Sequence, residues 1–370
     1  HMLQEILVDE WGFDGFVVSD WGGSNDHALG VKNGSHLEMP GTGKSGMYDI
    51  IHAVENGDLD EAVLDQRLDE LLNVIFSTHQ ATEDAKGKTF DVEAHHNLAR
   101  KAAEESIVLL KNEDQILPLK PGTKVAVIGD FAKVPRYQGA GSSLVNSAKQ
   151  PEAVLDVIGS TDLDVVAYEQ GYIRNRKPNQ KLTKAAVELA KKADIVLFFG
   201  GLDEISESEG LDRTHMSMPA AQETLLNELT TVNKNVIVVL SAGSAIEMPW
   251  YPYVKGIIHG YLGGQAGASA MMNVLTGKVN PSGKLNETYP LHYKDTPAYA
   301  YYPSKERSSE YREALYVGYR YYTTVGKMTR FPFGFGLSYT NFEYNNLKVS
   351  SEGVKFIVKN TGNVAGTEIT

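Results

Sequence analysis

Cysteine is absent from the 370 residues of this chain. Without thiols the protein has no disulfide, no thiolate metal site and no cysteine nucleophile. A protein of this size folds without disulfides, so their absence does not assign a cellular compartment, and the localisation stays unknown. Chemistry in this chain therefore depends on carboxylates, hydroxyls, histidines and basic side chains.

Long hydrophobic runs and an excess of basic residues are also lacking. The longest β-rich apolar run, residues 236–241, is far shorter than the ~20 residues that cross a bilayer. Lys and Arg total 35 against 47 Asp and Glu, a net charge of -12. An acidic chain is poorly suited to neutralising phosphates, so we expect neither nucleic acid nor a membrane as a partner.

Both ends of the sequence are unusual. His1-Met2 runs directly into a helix-like segment at 3–11, which is typical of a cloning remnant rather than a natural start. Near the other end, an alternating strand pattern at 354–358 is followed by a turn and by a second strand that has just begun at Thr370. We therefore expect the chain to be a fragment.

Short apolar strands alternate with helical patterns along most of the chain. Residues 16–18 and 35–39 are predicted strands, and two helices are predicted between 48 and 78. From residue 95 onward the predictions are a helix over 95–111, strands at 124–129, 163–168, 194–200, 235–241 and 254–259, and helices at 182–192, 219–232 and 267–275. This α/β alternation predicts a mostly parallel sheet that is covered on both faces.

Asp20 is a candidate catalytic residue because it directly follows a short strand and precedes Trp21 and two glycines. A carboxylate beside an aromatic ring suits a sugar, whose C–H face packs on the ring while its hydroxyls need acceptors. The alternative interpretation is a helix N-cap or a turn aspartate, which a lone Asp-Trp pair does not exclude.

The acidic segment 204–213 follows a predicted buried strand and contains three glutamates, at 204, 207 and 209. Carboxylates crowded together raise one another's pKa, as a general acid requires at neutral pH. Asp212 and Arg213 could pair and anchor the loop. The alternative is an ordinary solvated acidic loop.

The glycine-rich segment 139–143 matches neither a phosphate-binding loop nor a dinucleotide fingerprint. We expect a tight loop whose serine hydroxyls and backbone N–H groups contact a ligand. His27, His36, His95 and His96 lack metal-binding spacing and are predicted to be surface or capping residues, so no metal or cofactor is expected.

Several long segments together resemble glycoside hydrolase family 3. Gly15 to Gly22 resembles its nucleophile signature, Leu37 to Gly41 its next barrel-strand motif, Ala99 to Asn112 its domain-junction helix, and Glu207 to Arg213 its acid/base loop. The segments Asn280–Leu285 and Phe331–Tyr339 are similar to later signatures of the family.

The resemblance implies a retaining β-glucosidase that acts on a β-glucoside or an oligosaccharide. Asp20 would be the nucleophile and Glu209 the acid/base, chosen over Glu207 because the family's acid/base precedes the glycine of this motif. Trp21 would line the sugar site, and Ser142 or Ser143 would contact the sugar.

The family also implies a modular fold. It predicts the C-terminal part of a TIM-like barrel at 1–80, a linker at 81–94, an α/β sandwich at 95–290, an aromatic-rich connecting segment at 291–340, and the start of a fibronectin-III-like domain at 341–370. Most barrel strands of the family precede the nucleophile, but only about fourteen residues precede Phe16 here. A separate chain, a swapped dimer or a longer native chain would have to supply them.

Two other functions stay open at this stage. One is a non-catalytic carbohydrate-binding or scaffold fragment, inactive without the missing barrel. The other is a flavodoxin-like nucleotide binder, which the absence of a phosphate-binding motif disfavours.

Overall fold

The computed structural model describes residues 1–174, 177–305 and 307–370. It divides into two compact units, His1–Phe90 and Asp91–Thr370. Within the described part of the chain, no helix is both long and apolar enough to cross a membrane.

The first unit is mainly helical. It contains a π-helix at Met2–Glu10 and the α-helices α1 (His27–Lys32), α2 (Lys44–Asn56) and α3 (Glu61–Asp84). The predicted linker begins at 81, but α3 continues to Asp84, because no proline or glycine interrupts residues 81–84. Ala53 and Leu59 are the only buried apolar residues among residues 1–90, so this unit has almost no core of its own.

The predicted strands of the first unit are reduced to one short parallel pairing. Val18 bridges Leu37, and the Ser19 and Trp21 N–H groups donate to the carbonyls of Leu37 and Met39 at 2.9 and 3.0 Å. Helix α1 lies between the two paired segments in the chain, which gives the β-α-β order of a parallel crossover.

The second unit is built on a six-stranded sheet in the order β1-β6-β5-β4-β2-β3. The strands are β1 (Val108–Asn112), β2 (Lys124–Ile128), β3 (Asp164–Glu169), β4 (Ile195–Gly201), β5 (Val236–Ser241) and β6 (Gly256–His259). All neighbours pair in parallel except β1, which is antiparallel to β6. The prediction of a mostly parallel α/β sheet is therefore confirmed.

Helices cover both faces of this sheet. They are α4 (Val92–Ser106), α5 (Val154–Val157), α6 (Gln180–Ala190), α7 (Ala220–Val232) and α8 (Gly267–Leu275). Alternate residues of β4 supply the two cores: Val196 and Phe198 pack in the cluster that includes α6 and α7, and Leu197 and Phe199 in the cluster that includes α8. The central strands β4, β5 and β6 are thus buried on both sides, as their continuous apolar sequences require, whereas the edge strand β3 is only partly buried.

The helix predicted over 95–111 is wrong at its C-terminal end. Helix α4 stops at Ser106, and residues 108–112 form strand β1. Val108, Leu109 and Leu110 are each at most 1% exposed, so these residues are buried on both sides. In an amphipathic helix, one side faces water, so three consecutive apolar residues could not all be buried. An edge strand that lies between two helical layers buries all three.

The rest of the second unit is less regular. It contains β7 (Tyr289–Pro290), α9 (Tyr319–Val325), β8 (Thr329–Phe331) and the hairpin of β9 (Phe342–Ser350) with β10 (Gly353–Asn360). Strands β7 and β8 pair with each other, and the β9–β10 hairpin has no further strand beside it among the described residues. Single 3-10 turns lie at Glu113–Gln115, Asp130–Ala132, Ile158–Ser160, Tyr251–Tyr253, Gly264–Ala266 and Tyr293–Asp295.

Candidate active site

Asp20 lies at the carboxyl end of the parallel pairing in the first unit. Its carbonyl accepts the Gly23 N–H at 2.8 Å, which closes a tight turn, and Trp21 adopts a positive φ of 48° within that turn. A positive φ is unusual for a bulky residue, so the turn holds Trp21 in a strained conformation. The Trp21 side chain is 66% exposed, so a carboxylate and an open indole ring are adjacent at this turn.

Polar side chains, among them the buried Arg67 and the buried ring of His36, support the parallel pairing that leads to Asp20. The Val17 N–H donates to Nδ1 of His36 at 3.0 Å, so the His36 ring proton is on Nε2, which contacts Glu70 at 2.6 Å. Arg67 binds both Glu70 and Gln4. Burial opposes ionisation of Glu70, but the hydrogen bonds from His36 and Gln66 and the charge of Arg67 prevail and lower its pKa.

His36 and His96 differ from their prediction as surface or capping residues. The His36 side chain is 1% exposed. In the second unit His96 is 7% exposed and contacts Glu152 at 2.9 Å. Both are buried and bound to carboxylates, and sequence spacing alone does not reveal such distant partners. The described residues contain no group of three or more potential ligands that could hold a metal ion.

The acidic loop emerges from β4 at the point where the strand order of the second unit reverses. Strand β2 is followed in the chain by β3 on one side of it and by β4 on its other side. In such sheets a crevice opens at the carboxyl ends of the strands that flank the reversal, and ligands bind there. Loop 202–213 leaves β4 at this crevice, which places its carboxylates where the fold class puts binding sites.

The three glutamates of this loop do not crowd together. Glu204 pairs with Arg174 at 2.8 Å. Glu207 accepts hydrogen bonds from the Gly243 N–H at 2.8 Å and from the Ser244 hydroxyl at 2.6 Å. Glu209 accepts one from the Ser142 N–H at 2.5 Å. The expectation of crowded carboxylates is therefore wrong, because each carboxylate has its own donor.

Glu209 is exposed and docks on the glycine-rich segment. Its N–H donates to the Ala140 carbonyl at 3.1 Å, and hydrogen bonds from Ser142, from its side chain first and then its backbone, lower the pKa of the Glu209 carboxyl. Gly141 has a φ of 91°, and a Cβ there would lie 2.6 Å from the Glu209 Cβ. Only glycine allows this close approach.

Ser142 and Ser143 are both exposed beside Glu209. Ser142 gives its N–H to Glu209 rather than to a free site, whereas the Ser143 hydroxyl lies 3.5 Å from the Ala140 carbonyl. The second unit therefore brings together Glu209, Ser142 and Ser143, as three of the five predicted site residues. Asp20 and Trp21 lie together in the first unit.

The pairing of Asp212 with Arg213 does not occur. Asp212 accepts a hydrogen bond from the Tyr302 hydroxyl at 2.6 Å. Arg213 donates to the Ser244 hydroxyl at 2.8 Å and to the Ala245 carbonyl at 3.0 Å. Neighbouring side chains in an extended loop point apart, so each finds a partner elsewhere in the fold.

Sequence reasoning missed two residues that hydrogen-bond to Glu207 and so fix the acidic loop. Arg136 is 4% exposed and donates to the Glu207 carbonyl at 3.1 Å. Ser244 binds both Glu207 and Arg213. The one available signal for Ser244 was its position just after β5, at the same edge of the sheet as the acidic loop.

Known proteins resemble this chain along almost its whole length. Residues 107–339 match the model of the glycosyl hydrolase family 3 C-terminal domain. Thermostable beta-glucosidase B of Acetivibrio thermocellus is 44% identical over 381 residues, a match that covers 100% of this chain and 50% of that protein. The exo-alpha-(1->6)-L-arabinopyranosidase of Bifidobacterium breve is 41% identical, covering 99% of this chain and 50% of that protein.

A solved structure agrees with these relatives. The GH3 beta-glucosidase of Bifidobacterium adolescentis superposes with a TM-score of 0.91 at 41% identity, covering 98% of this chain and 54% of that one. The chain thus spans about half the length of the relatives that it matches. Since the family model covers more than half of the chain, the protein belongs to glycosyl hydrolase family 3.

Proposed function

We propose that the protein provides both catalytic carboxylates of a retaining β-glycosidase that hydrolyses terminal, non-reducing β-D-glucosyl residues. The observation that carries the proposal is the position of Glu209, on the loop that leaves β4 at the strand-order reversal and next to Ser142. Asp20 supports it, because it follows a parallel strand pairing and stands beside an open indole ring.

The reaction proceeds by two displacements at the anomeric carbon. An Asp20 carboxylate oxygen attacks that carbon while Glu209 protonates the departing glycosidic oxygen, and a glycosyl ester forms on Asp20. Glu209 then takes a proton from water, the water attacks the anomeric carbon, and the ester bond breaks. In retaining enzymes the two carboxyl groups work ~5–5.5 Å apart.

The contact with Ser142 bears on the first step. A general acid must be protonated, but the hydrogen bonds from Ser142 favour the ionised form of Glu209. We propose that bound substrate takes over the Ser142 and Ser143 donors through its hydroxyls, which frees Glu209 to hold a proton. Trp21 packs against the C–H face of the same sugar.

The proposed domains follow the same resemblance. Residues 1–80 form the C-terminal part of a TIM-like barrel, 81–94 a linker that includes the end of α3 and the start of α4, 95–290 the sandwich, 291–340 a connecting segment, and 341–370 the start of a fibronectin-III-like domain. Apolar residues of α2 and α3 support a barrel that needs its other half: Ile51, Leu68, Leu72 and Ile75 are each 41–47% exposed. A further chain segment or a swapped copy would cover them.

A non-catalytic carbohydrate-binding or scaffold role is the second candidate. It is favoured by one observation: within the first unit, no described side chain donates a hydrogen bond to the Asp20 carboxylate. Catalysis requires the substrate and the nucleophile to be held in register, so this unit by itself does not orient its nucleophile.

Hydrolysis of p-nitrophenyl β-D-glucopyranoside, alone and with a relative's barrel segment added, separates the candidates. The enzyme proposal predicts release of p-nitrophenol in at least the completed form, with β-glucose as the first product by NMR. Sugar binding without turnover in both forms would support the scaffold role, and α-glucose as the first product would contradict the retaining mechanism. Since one relative is named an arabinopyranosidase, p-nitrophenyl α-L-arabinopyranoside is the matched substrate control.

A further inference from the structure

A cavity of about 450 Å³ in the second unit lies beside the end of the acidic loop. Its volume falls in the range of small-molecule sites. Its polar wall includes Arg213, Ser244 and Thr288, and its aromatic wall includes Tyr319, Tyr322 and Phe333. Nothing in the proposed mechanism uses these aromatic residues, so the cavity is a separate feature of the fold.

The polar wall contains buried groups without a partner. Arg213 uses Nη1 on Ser244 and Ala245, but its Nη2 is buried and makes no hydrogen bond to any described residue. Thr288 is 8% exposed, and its Oγ1 likewise has no partner among the described residues. A buried donor or acceptor without a partner is unfavourable, so both atoms favour a ligand that can hydrogen-bond.

The aromatic wall provides flat, half-exposed rings. Tyr319 and Phe333 stack with centroids 4.9 Å apart and planes 30° from parallel, and their side chains are 42% and 50% exposed. Paired rings of this kind offer an apolar surface to a ring-shaped ligand.

The charges around the cavity favour a neutral ligand. Arg213 and Arg320 are the two cations that line the cavity, and the Arg320 guanidinium lies 4.9 Å from the Tyr319 ring centroid. The carboxyl of Glu287, which also lines the cavity, and that of Glu207 both act on Arg213 electrostatically. Burial raises the pKa of Glu287, so this carboxyl is also disposed to hold a proton and act as a donor. Two arginines thus balance two carboxyls, so the wall carries no excess charge to attract an anion or a cation. A polyhydroxylated neutral ring meets both donors and acceptors there.

We propose that this cavity is a second saccharide site, which binds one neutral pyranose ring. The ring stacks on Tyr319 and Phe333, and its hydroxyls pair with Arg213 Nη2 and Thr288 Oγ1. The bound sugar contacts Arg213, which donates a hydrogen bond to Ser244, and Ser244 in turn donates one to Glu207. A bound sugar therefore also stabilises the acidic loop. The residues that line the cavity include none of Asp20, Trp21, Glu209, Ser142 and Ser143, and sugar binding there does not depend on hydrolysis.

The test is calorimetric or NMR titration of the full chain with methyl β-D-glucopyranoside, in a Trp21→Ala background that removes the ring of the other proposed site. Binding should persist there. Adding Thr288→Val or Tyr319→Leu should weaken it at least tenfold, whereas the matched control Tyr311→Leu, at a side chain 92% exposed, should leave it unchanged. Thermal melts identify any variant that fails to fold. Because two independent variants are used, the test remains valid if one of them does not fold.

Three results would overturn the proposal. Absence of binding in the Trp21→Ala background would mean that sugar is held only beside Asp20, which leaves the proposed hydrolase function intact. Binding that neither Thr288→Val nor Tyr319→Leu weakens would place the sugar elsewhere. Tighter binding of glucuronate than of the methyl glucoside would make the cavity an anion site.

Discussion

Glu207 and Glu209 are two residues apart, but their carboxylates meet different parts of the fold. The Glu207 carboxylate accepts hydrogen bonds from the Gly243 N–H and the Ser244 hydroxyl, just after β5. The exposed Glu209 carboxylate accepts one from the Ser142 N–H in the glycine-rich segment. A carboxylate fixed by two donors at the sheet edge suits a structural role. The exposed carboxylate, which binds a single exposed residue, Ser142, suits proton transfer.

Replacing Glu209 with alanine in an active form should slow substrates with poor leaving groups far more than activated ones. A good leaving group departs without protonation, so its first step needs Glu209 less. Azide should restore turnover by attacking the glycosyl ester without general-base help and should give a β-glycosyl azide. Steady-state kinetics with p-nitrophenyl and methyl glucosides measure the effect.

Glu207→Ala is the matched control for that experiment. It should lower the stability of the loop and show no azide rescue. If Glu207→Ala is rescued by azide and Glu209→Ala is not, the acid/base role belongs to Glu207.

His259 provides a pH test of the core. It is fully buried, its Nε2 contacts the Tyr289 hydroxyl at 2.7 Å, and burial lowers its pKa from the ordinary 6.5 to about 3. The folded protein holds His259 neutral while the unfolded chain takes up a proton below pH 6.5. The free energy of unfolding should therefore fall by up to ~1.4 kcal/mol per pH unit as the pH drops from 6.5 towards 3.

Urea unfolding of the wild type and of His259→Gln across this pH range measures that contribution. The variant should be less stable at pH 7 and should show a flatter pH dependence. Equal slopes for the two proteins would contradict the assignment of a neutral buried His259.

At the scale of elements, the sequence predicts the sheet well except for one edge strand, β1. The strands from β2 to β6 are continuous apolar runs between helices, so their pattern is unambiguous. Strand β1 follows a helix with no proline or glycine between them, and only burial on both sides distinguishes it. The partners of Glu209 and Arg213 are likewise distant in sequence, so no local pattern reveals Ser142 or Ser244.

Leu109→Ala tests the reassignment of residues 108–112 to a strand. Leu109 is 0% exposed between the helical layers, and removing a buried leucine side chain costs ~2–5 kcal/mol of unfolding free energy. The control Leu98→Ala, on helix α4 and 64% exposed, should change stability by less than ~0.5 kcal/mol. Urea denaturation compares the two, and similar small losses would contradict the burial of β1.

At the scale of the whole molecule, the two units differ in how much core they possess. The second unit has continuous apolar clusters on both faces of its sheet, whereas the first buries only Ala53 and Leu59 among its apolar side chains. Burying one large apolar side chain contributes ~1.5–3 kcal/mol, and a domain's net stability is only ~5–15 kcal/mol. The first unit therefore lacks the burial needed to be stable by itself.

Limited proteolysis combined with sedimentation should show this difference. We expect residues 1–80 either to be cleaved early, leaving a resistant fragment that begins near 91, or to be protected in a dimer. A monomer in which residues 1–80 resist protease as well as the sheet does would contradict the prediction.

The central claim is that Asp20 forms the glycosyl ester, and mass spectrometry of a trapped intermediate tests it most directly. The active form is treated with 2-deoxy-2-fluoro-β-D-glucosyl fluoride, whose ester hydrolyses slowly, and is then digested and sequenced. The account predicts one added fluoroglucosyl group per chain, carried by Asp20, and no labelling of an Asp20→Asn variant that still folds. A label on any other carboxylate, or labelling that survives Asp20→Asn, would contradict it.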